Sequence, residues 1–511
     1  MNFSTETRTL GFCEINFEST AEQSVETELL LPDYCPEIKR ILRCSVCSDI
    51  LSVQNSSGRV TAQGNAIVRL IYVGENDKTS AYEQVVPIQK TVDSDKLTSG
   101  CAVSVRAVTD YVNCRAVNPR KVDVRAMMTF VFKSLKKRDE SILIKAENGG
   151  IMTLSNEYDF CDLKSVAEKS FNLSEVIELE SDKPVIGRIL NSQAYIIVKE
   201  KKTINNKILI KGDSYIKIHY LSEAESSICC AEHSIPVSQI IEADGINENS
   251  DIFLNISVTA CEAIPKVDSK GETKLIDISV RASALIYAFE KNPVSLISDA
   301  YSTEYWTKNS TRSIEMLCAN TDFESVFTNK VVLESIGVSV DCIYAVWCND
   351  IKYSYSFKDD KCLFVGTYQV TIIFRDADKQ QGIIQKPVDF EFSVDLKEEC
   401  ERIMCHSSIQ LMACSCSVSG DSKIELRTEI NASGKILSNK ILKYINEIEL
   451  IENNDDEKDS CALTIYFCEK NERVWNIAKK YRTTVDAIMA ENSLDSDIIT
   501  DKKTLLIPSV R

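Results

Sequence analysis

The chain has 511 residues, with 59 basic against 76 acidic side chains and an apolar fraction of 44%. That length suits three or four domains with cores of their own, and the composition is that of folded protein. A formal charge of −17 repels phosphate backbones and anionic lipid headgroups, which argues against nucleic-acid binding and against membrane attachment through bulk charge.

Met1–Glu6 has neither a basic stretch nor the apolar run of an export signal, and no apolar segment is long enough to span a bilayer. The expectation is a soluble chain inside the cell. Its twenty cysteines then read as small buried apolar residues rather than disulfide partners. Cys44-Ser45-Val46-Cys47 is the sole C-x-x-C and lacks the second pair that a zinc or redox site needs.

From there the chain repeats itself. Pro36-Glu37-Ile38-Lys39-Arg40-Ile41-Leu42 returns as Pro184-Val185-Ile186-Gly187-Arg188-Ile189-Leu190. Each is followed by a glycine that opens an alternating strand, Gly64–Tyr72 and then Gly212–Tyr220, with a third copy at Gly366–Phe374. A closing strand also recurs, carrying Arg125, Arg281 and Arg427 in turn. The glycine-to-arginine spacing is the same in copies one and three and longer in copy two, where Asp268-Ser269-Lys270-Gly271 has the chemistry of an inserted turn. The third copy lacks a clear Pro-x-Ile opening. Between these anchors the period is two, rich in Val, Ile, Tyr and Phe, so each copy is expected to be an antiparallel, sandwich-like β domain. The domains are placed at 1–150, 151–295 and 296–445, with Asp162–Lys169 as a short connecting helix. Residues 446–460 are acidic and have no face to bury, so they read as a solvated linker that lets the tail move.

The tail, 461–511, changes period. Leu463–Tyr466 reads as a strand, and Val474, Ile477, Ala478 and Tyr481 share one helical face. A second helix starts at Thr483, where Thr483 and Asp486 have capping-box spacing, and Asn492 closes it. Leu505–Pro508 ends the unit as a strand stopped by proline. A βααβ unit this small has no room for a buried cleft, so its business is binding. Trp475, at the opening of the first helix, reads as core or as a sugar-stacking face. Lys479-Lys480-Tyr481-Arg482 reads as a solvated helix end with cations near the negative pole of the dipole.

Reactive chemistry is not visible in this pattern. There is no phosphate-binding glycine loop, no H-E-x-x-H and no G-x-S-x-G. His219 stands where the other copies have Ile71 and Ile373, an apolar strand position. Cys405 and His406, as strand neighbours, point to opposite faces. The expectation is no enzyme, no cofactor and no metal.

Two resemblances add to this reading. Val474–Tyr481, Thr484-Val485-Asp486, Glu491-Asn492 and Leu505–Pro508 together resemble a LysM domain. The three repeats, through Leu31–Ile38, the strands ending in Tyr72 and Tyr220, and the arginine strand, resemble the SPOCS domain of SipL-type proteins of spore-forming bacteria. Asp299-Ala300-Tyr301-Ser302 resembles that family's connection between copies. The LysM resemblance implies a shallow groove for N-acetylglucosamine glycans such as peptidoglycan, formed here by Lys470, Asn471, Glu472, Arg473 and Val474 from one loop and Asn492, Ser493 and Leu494 from the other. Asn492 has a competing reading as a helix cap. The family's usual Gly-Asp before the first helix is Asn471-Glu472 in this chain. The combined resemblance implies a scaffold in spore-envelope morphogenesis, working in the mother-cell cytoplasm at the forespore surface with a coat-anchoring ATPase as partner. A wall-binding protein and a LysM-targeted wall hydrolase are the alternatives, and exposed β edges suit self-association.

Overall fold

The computed structural model describes residues 3–98, 102–224, 227–334, 339–396, 402–419, 423–452 and 463–508. The first copy contains β1 (Ser4–Leu30), β2 (Ile38–Ser56), β3 (Arg59–Gly74), β4 (Thr79–Asp93), β5 (Ala102–Asn118) and β6 (Lys121–Glu147). The second contains β7 (Ile151–Glu178), β8 (Ile186–Ile204), β9 (Lys207–Ser222), β10 (Ile228–Glu242), β11 (Asp251–Lys266) and β12 (Leu275–Ser302). The third contains β13 (Trp306–Glu334), β14 (Val340–Lys358), β15 (Lys361–Asp376), β16 (Gln381–Asp395), β17 (Arg402–Val418) and β18 (Lys423–Ile451). The tail follows as β19 (Leu463–Cys468), α1 (Val474–Tyr481), α2 (Val485–Glu491) and β20 (Lys503–Pro508).

The protein is mainly β: three antiparallel sandwiches and a βααβ module. Each copy packs one three-stranded sheet on another, with orders β1-β6-β5 and β2-β3-β4 in the first and the same orders in the other two. The alternating residues of β3, Val60, Ala62, Ala66, Val68 and Leu70, face Val122, Val124, Ala126, Met128 and Phe130 of β6 in one core. The repeated glycine has a steric cause. A Cβ on Gly64, Gly212 or Gly366 would lie 2.1, 2.1 or 2.4 Å from the carbonyl oxygen of Asp49, Ile197 or Lys352. The pairing of each neighbouring strand slips there, and its backbone presses in. The Pro-x-Ile opening has a partner as well. Tyr72 donates to the Pro36 carbonyl at 3.0 Å and Tyr220 to that of Pro184 at 3.2 Å. Phe374 stands in the tyrosine's place in the third copy, which also lacks the opening proline.

Three sequence expectations change. Asp162–Lys169 lies inside β7, paired with β12 across a bulge. Phe160, Cys161, Asp162 and Leu163 are buried in succession because neighbouring copies cover both faces, and Gly11 donates to Asp162 Oδ1 at 2.8 Å. Positions 295 and 445 fall within β12 and β18, since those strands run past their sandwiches. The acidic segment is therefore strand as far as Ile451, and 453–460 lie outside the described residues.

The three copies close on one another. Between the first and second, the carboxylate of Asp49, fully buried, is gripped by the Arg281 guanidinium, whose other contact is Glu262 at 3.3 Å. Between the second and third, Lys435, also buried, meets Asp251 at 2.5 Å and Asp322 at 3.2 Å. Between the third and first, Arg106 donates to the Ile351 carbonyl at 3.1 Å, and Arg40 to that of Gln381. An apolar cluster draws Leu42 and Ile71, Leu190 and Leu221, and Trp347 and Ile373 from the three copies in turn. Around the axis the strands β2, β5, β8, β11, β14 and β17 line a cavity of about 600 Å³. One edge of each of these six sheets thus faces inward.

Two histidines sit at the junction of the second and third copies. His219 packs on Trp347 at 5.2 Å, and His406 stacks on Tyr287 at 4.9 Å. Burial pushes both from an ordinary 6.5 down to about 4, helped by Lys217 beside His219 and Lys133 beside His406. Both rings are neutral in the fold, whereas the unfolded chain binds protons near 6.5. Their contribution is therefore complete above pH 6.5 and is lost as pH falls toward 4. In urea titrations from pH 7 to 4.5, the pair His219→Phe and His406→Phe should flatten the acid loss of stability; an unchanged slope would contradict this. Asp49→Ala should cost about 3 kcal/mol by leaving Arg281 without its buried partner. An unfolding midpoint equal to that of the parent chain would show that the ion pair does not hold the first two copies together.

Candidate functional site

The tail module is built as its periodicity requires. Val474, Ile477, Ala478, Ile488, Leu505 and Ile507 form its core. The cap of α2 is Thr484, whose hydroxyl accepts from Ala487 N at 3.1 Å, one residue later than the sequence spacing suggests. The Thr483 hydroxyl donates instead to the Pro508 carbonyl at 2.8 Å.

The Asn471-Glu472 turn stands where the LysM resemblance would have Gly-Asp. Asn471 adopts φ +68°, which a short polar side chain tolerates. The Glu472 carboxylate accepts from Tyr466 Oη at 2.6 Å and from Glu469 N at 3.1 Å, closing the loop. Tyr466 is consequently raised to about 12, chiefly by that carboxylate.

The two loops implied as a glycan groove come together, but they bond to each other. Asn471 N donates to the Ile499 carbonyl at 2.7 Å, Ile499 N to Glu472 at 2.9 Å, and Val474 N to Asp497 at 2.7 Å. Of the residues assigned to the groove, Lys470, Asn471, Arg473 and Ser493 are exposed, whereas Glu472 and Leu494 are half-buried. Val474 is fully buried in the core. The Asn492 amide donates to the carbonyls of Ile488 (2.8 Å) and Leu506 (2.7 Å) and accepts from Leu506 N (2.7 Å), so the capping reading describes it. The accessible rim is thus Lys470, Asn471, Arg473 and Ser493, with Asp495 and Asp497 beside it.

The module is docked on the second copy rather than tethered loosely. Trp475 is 6% exposed, and its Nε1–H donates to Asp299 Oδ2 at 2.9 Å. Its ring meets Tyr301 edge to face at 5.0 Å, and Tyr301 Oη donates to the Thr483 carbonyl at 2.7 Å. Burial, then the nearby Asp299 carboxylate, pushes the Tyr301 phenol up to about 12. Lys479 pairs with Asp299 Oδ1 at 2.6 Å, and the Arg482 guanidinium lies over Trp306 at 5.0 Å. Two of the cations that read as a solvated helix end therefore belong to the contact. Trp475, Lys479 and Arg482 recur at helical spacing on one stripe of α1 and its cap. Asp299 reaches them because β12 bulges between Ile297 and Asp299, re-aiming the side chain. Sequence reasoning singled out Asp299–Ser302 and Trp475 separately; nothing in the pattern joins them.

Among the described residues, no group of three or more His, Cys, Asp and Glu side chains could hold a metal ion. Among the described residues no helix is long and apolar enough to cross a membrane.

Comparison with known families now adds to the geometry. The family model described as SipL, SPOCS domain, matches residues 37–117 and 185–265, and the LysM domain model matches 469–508. The matched repeats run from β2 to β5 and from β8 to β11; by strand order their counterpart in the third copy is β14 to β17. No curated protein and no solved structure gives a significant match. The chain has the SipL-like architecture of SPOCS domains followed by a LysM domain. Both are non-catalytic binding domains, and together they support an adaptor role with a module of the peptidoglycan-binding type.

Asp299→Ala removes the acceptor of Trp475 and the ion partner of Lys479. It should weaken docking by about 2 kcal/mol, the half-exposed lysine contributing little. Hydrogen exchange of residues 474–482 in the full chain should then quicken roughly tenfold or more. Exchange unchanged from the parent chain would show that the module does not lean on Asp299.

Proposed function

We propose that this chain is a non-enzymatic adaptor of spore-coat morphogenesis. It presents its LysM module to a protein partner, the coat-anchoring ATPase of the developing spore, from the mother-cell cytoplasm. The observation that carries this reading is the state of the two loops. A shallow glycan site depends on free backbone N–H and C=O groups, and here the N–H groups of Asn471 and Val474, the C=O of Asp497, and both groups of Glu472 and Ile499 are already paired. What the loops offer outward is a mixed-charge rim, Lys470 and Arg473 beside Asp495 and Asp497, the pattern of a polar protein contact. Docking through Asp299 supports the same reading, because a fixed module binds a large partner with less ordering cost than a mobile one.

The LysM match itself favours a second reading, binding to peptidoglycan. The test combines co-sedimentation of the full chain with purified peptidoglycan and capture of partners from sporulating cells. Arg473→Glu should abolish capture of the coat-anchoring ATPase and recruitment to the forespore while leaving the unfolding midpoint unchanged. Saturable pelleting with peptidoglycan that Arg473→Glu weakens, with capture intact, would establish the second reading instead. Removing 461–511 is a poorer test, since it would bare Met152, Leu154 and Tyr301, which the module covers.

A further inference from the structure

The third copy holds a thiol pair that neither domain's binding role uses. Cys348 stands on β14 and Cys414 on β17, strands of the two facing sheets, and their sulfurs lie 2.9 Å apart. A disulfide requires about 2.05 Å between sulfurs, so a shift of less than 1 Å separates the pair from bonding distance. Cys348 is 5% exposed, and both residues border the central cavity of about 600 Å³. That cavity admits a molecule the size of peroxide.

We propose that Cys348 and Cys414 form an oxidisable site that hydrogen peroxide converts to a disulfide stapling the two sheets of the third copy. One thiolate attacks a peroxide oxygen; the O–O bond breaks, hydroxide leaves and takes up a proton, and a sulfenic acid forms. The second sulfur then attacks the first, the S–O bond breaks, and water leaves as the S–S bond forms. Two thiols are oxidised and one peroxide is reduced to two waters.

The surroundings set the rate. The neighbouring sulfur, and then burial, push the Cys414 thiol well above its ordinary value, so little of it is ionised at neutral pH. Oxidation is therefore slow there and accelerates with rising pH. The arrangement has a parallel in the first copy, where Cys114 of β5 is the neighbour that most strongly pushes up the Cys44 thiol of β2. In the second copy Ser192 occupies the place of Cys44 and donates to the Cys261 carbonyl at 2.7 Å, so no pair exists.

The full chain, reduced and freed of reductant, is treated with hydrogen peroxide or left untreated. It is then alkylated and digested without reduction for mass spectrometry. The expected result is a cross-linked peptide holding Cys348 and Cys414, two hydrogens lighter than its parts, formed with peroxide and faster at pH 8.5 than at pH 7. The unfolding midpoint should rise with it in the parent chain and not in Cys414→Ser. Recovery of the two residues as separate alkylated thiols or as sulfinic acids overturns the proposal. The peptide readout is made on the parent chain, so it stands even if Cys414→Ser fails to fold.

Discussion

Asp299 is the point on which the molecule's use turns. One carboxylate receives the indole N–H of Trp475 on one oxygen and the Lys479 ammonium on the other. It holds a small binding module against the end of a large β assembly. With Tyr301 beneath the indole and Trp306 beneath Arg482, the contact mixes a buried aromatic anchor with charge-assisted hydrogen bonds, the combination that dominates stable interfaces. The acidic segment before the module reads as a linker that lets it move; this contact holds it in place instead.

The β assembly matters because it gives that carboxylate a fixed address. β12 runs beyond its own sandwich, and its bulge at Asp299 is kept in register by β7 on one side. β7 is in turn buried between copies over Phe160–Leu163, which is why those residues fail to alternate. The ion pairs of Asp49 with Arg281 and of Lys435 with Asp251 fix the copies relative to one another. Buried pairs of this kind contribute specificity of arrangement more than net stability, since desolvation offsets most of their attraction. The apolar clusters shared by all three copies supply the stabilisation.

Much of this was legible in the sequence. The period of two, the recurrent glycine and the arginine strand define three β copies, and the switch to helical spacing defines the tail. Even the Asn471-Glu472 turn is recognisable, because asparagine is the side chain that tolerates a positive φ in place of glycine. What stayed hidden is long-range. Asp162–Lys169 has local helix-forming chemistry, and pairing with β12 overrides it. Val474 and Asn492 resemble groove residues by position, yet one is core and the other locks α2 to β20. Trp475 reads as core from its place at the helix opening and is buried there; that it also anchors two domains requires knowing that Asp299 lies 2.9 Å from its nitrogen.

A protein with this plan acts by holding surfaces in place, and the most direct measurement is the tumbling of the tail. Backbone amide relaxation of residues 463–508, recorded in the intact 57.3 kDa chain, separates the two possibilities. If the module is bolted on through Asp299 and Tyr301, its amides relax with the rotational correlation time of the whole molecule. A short correlation time, that of a module of fewer than fifty residues turning on its own, would contradict it.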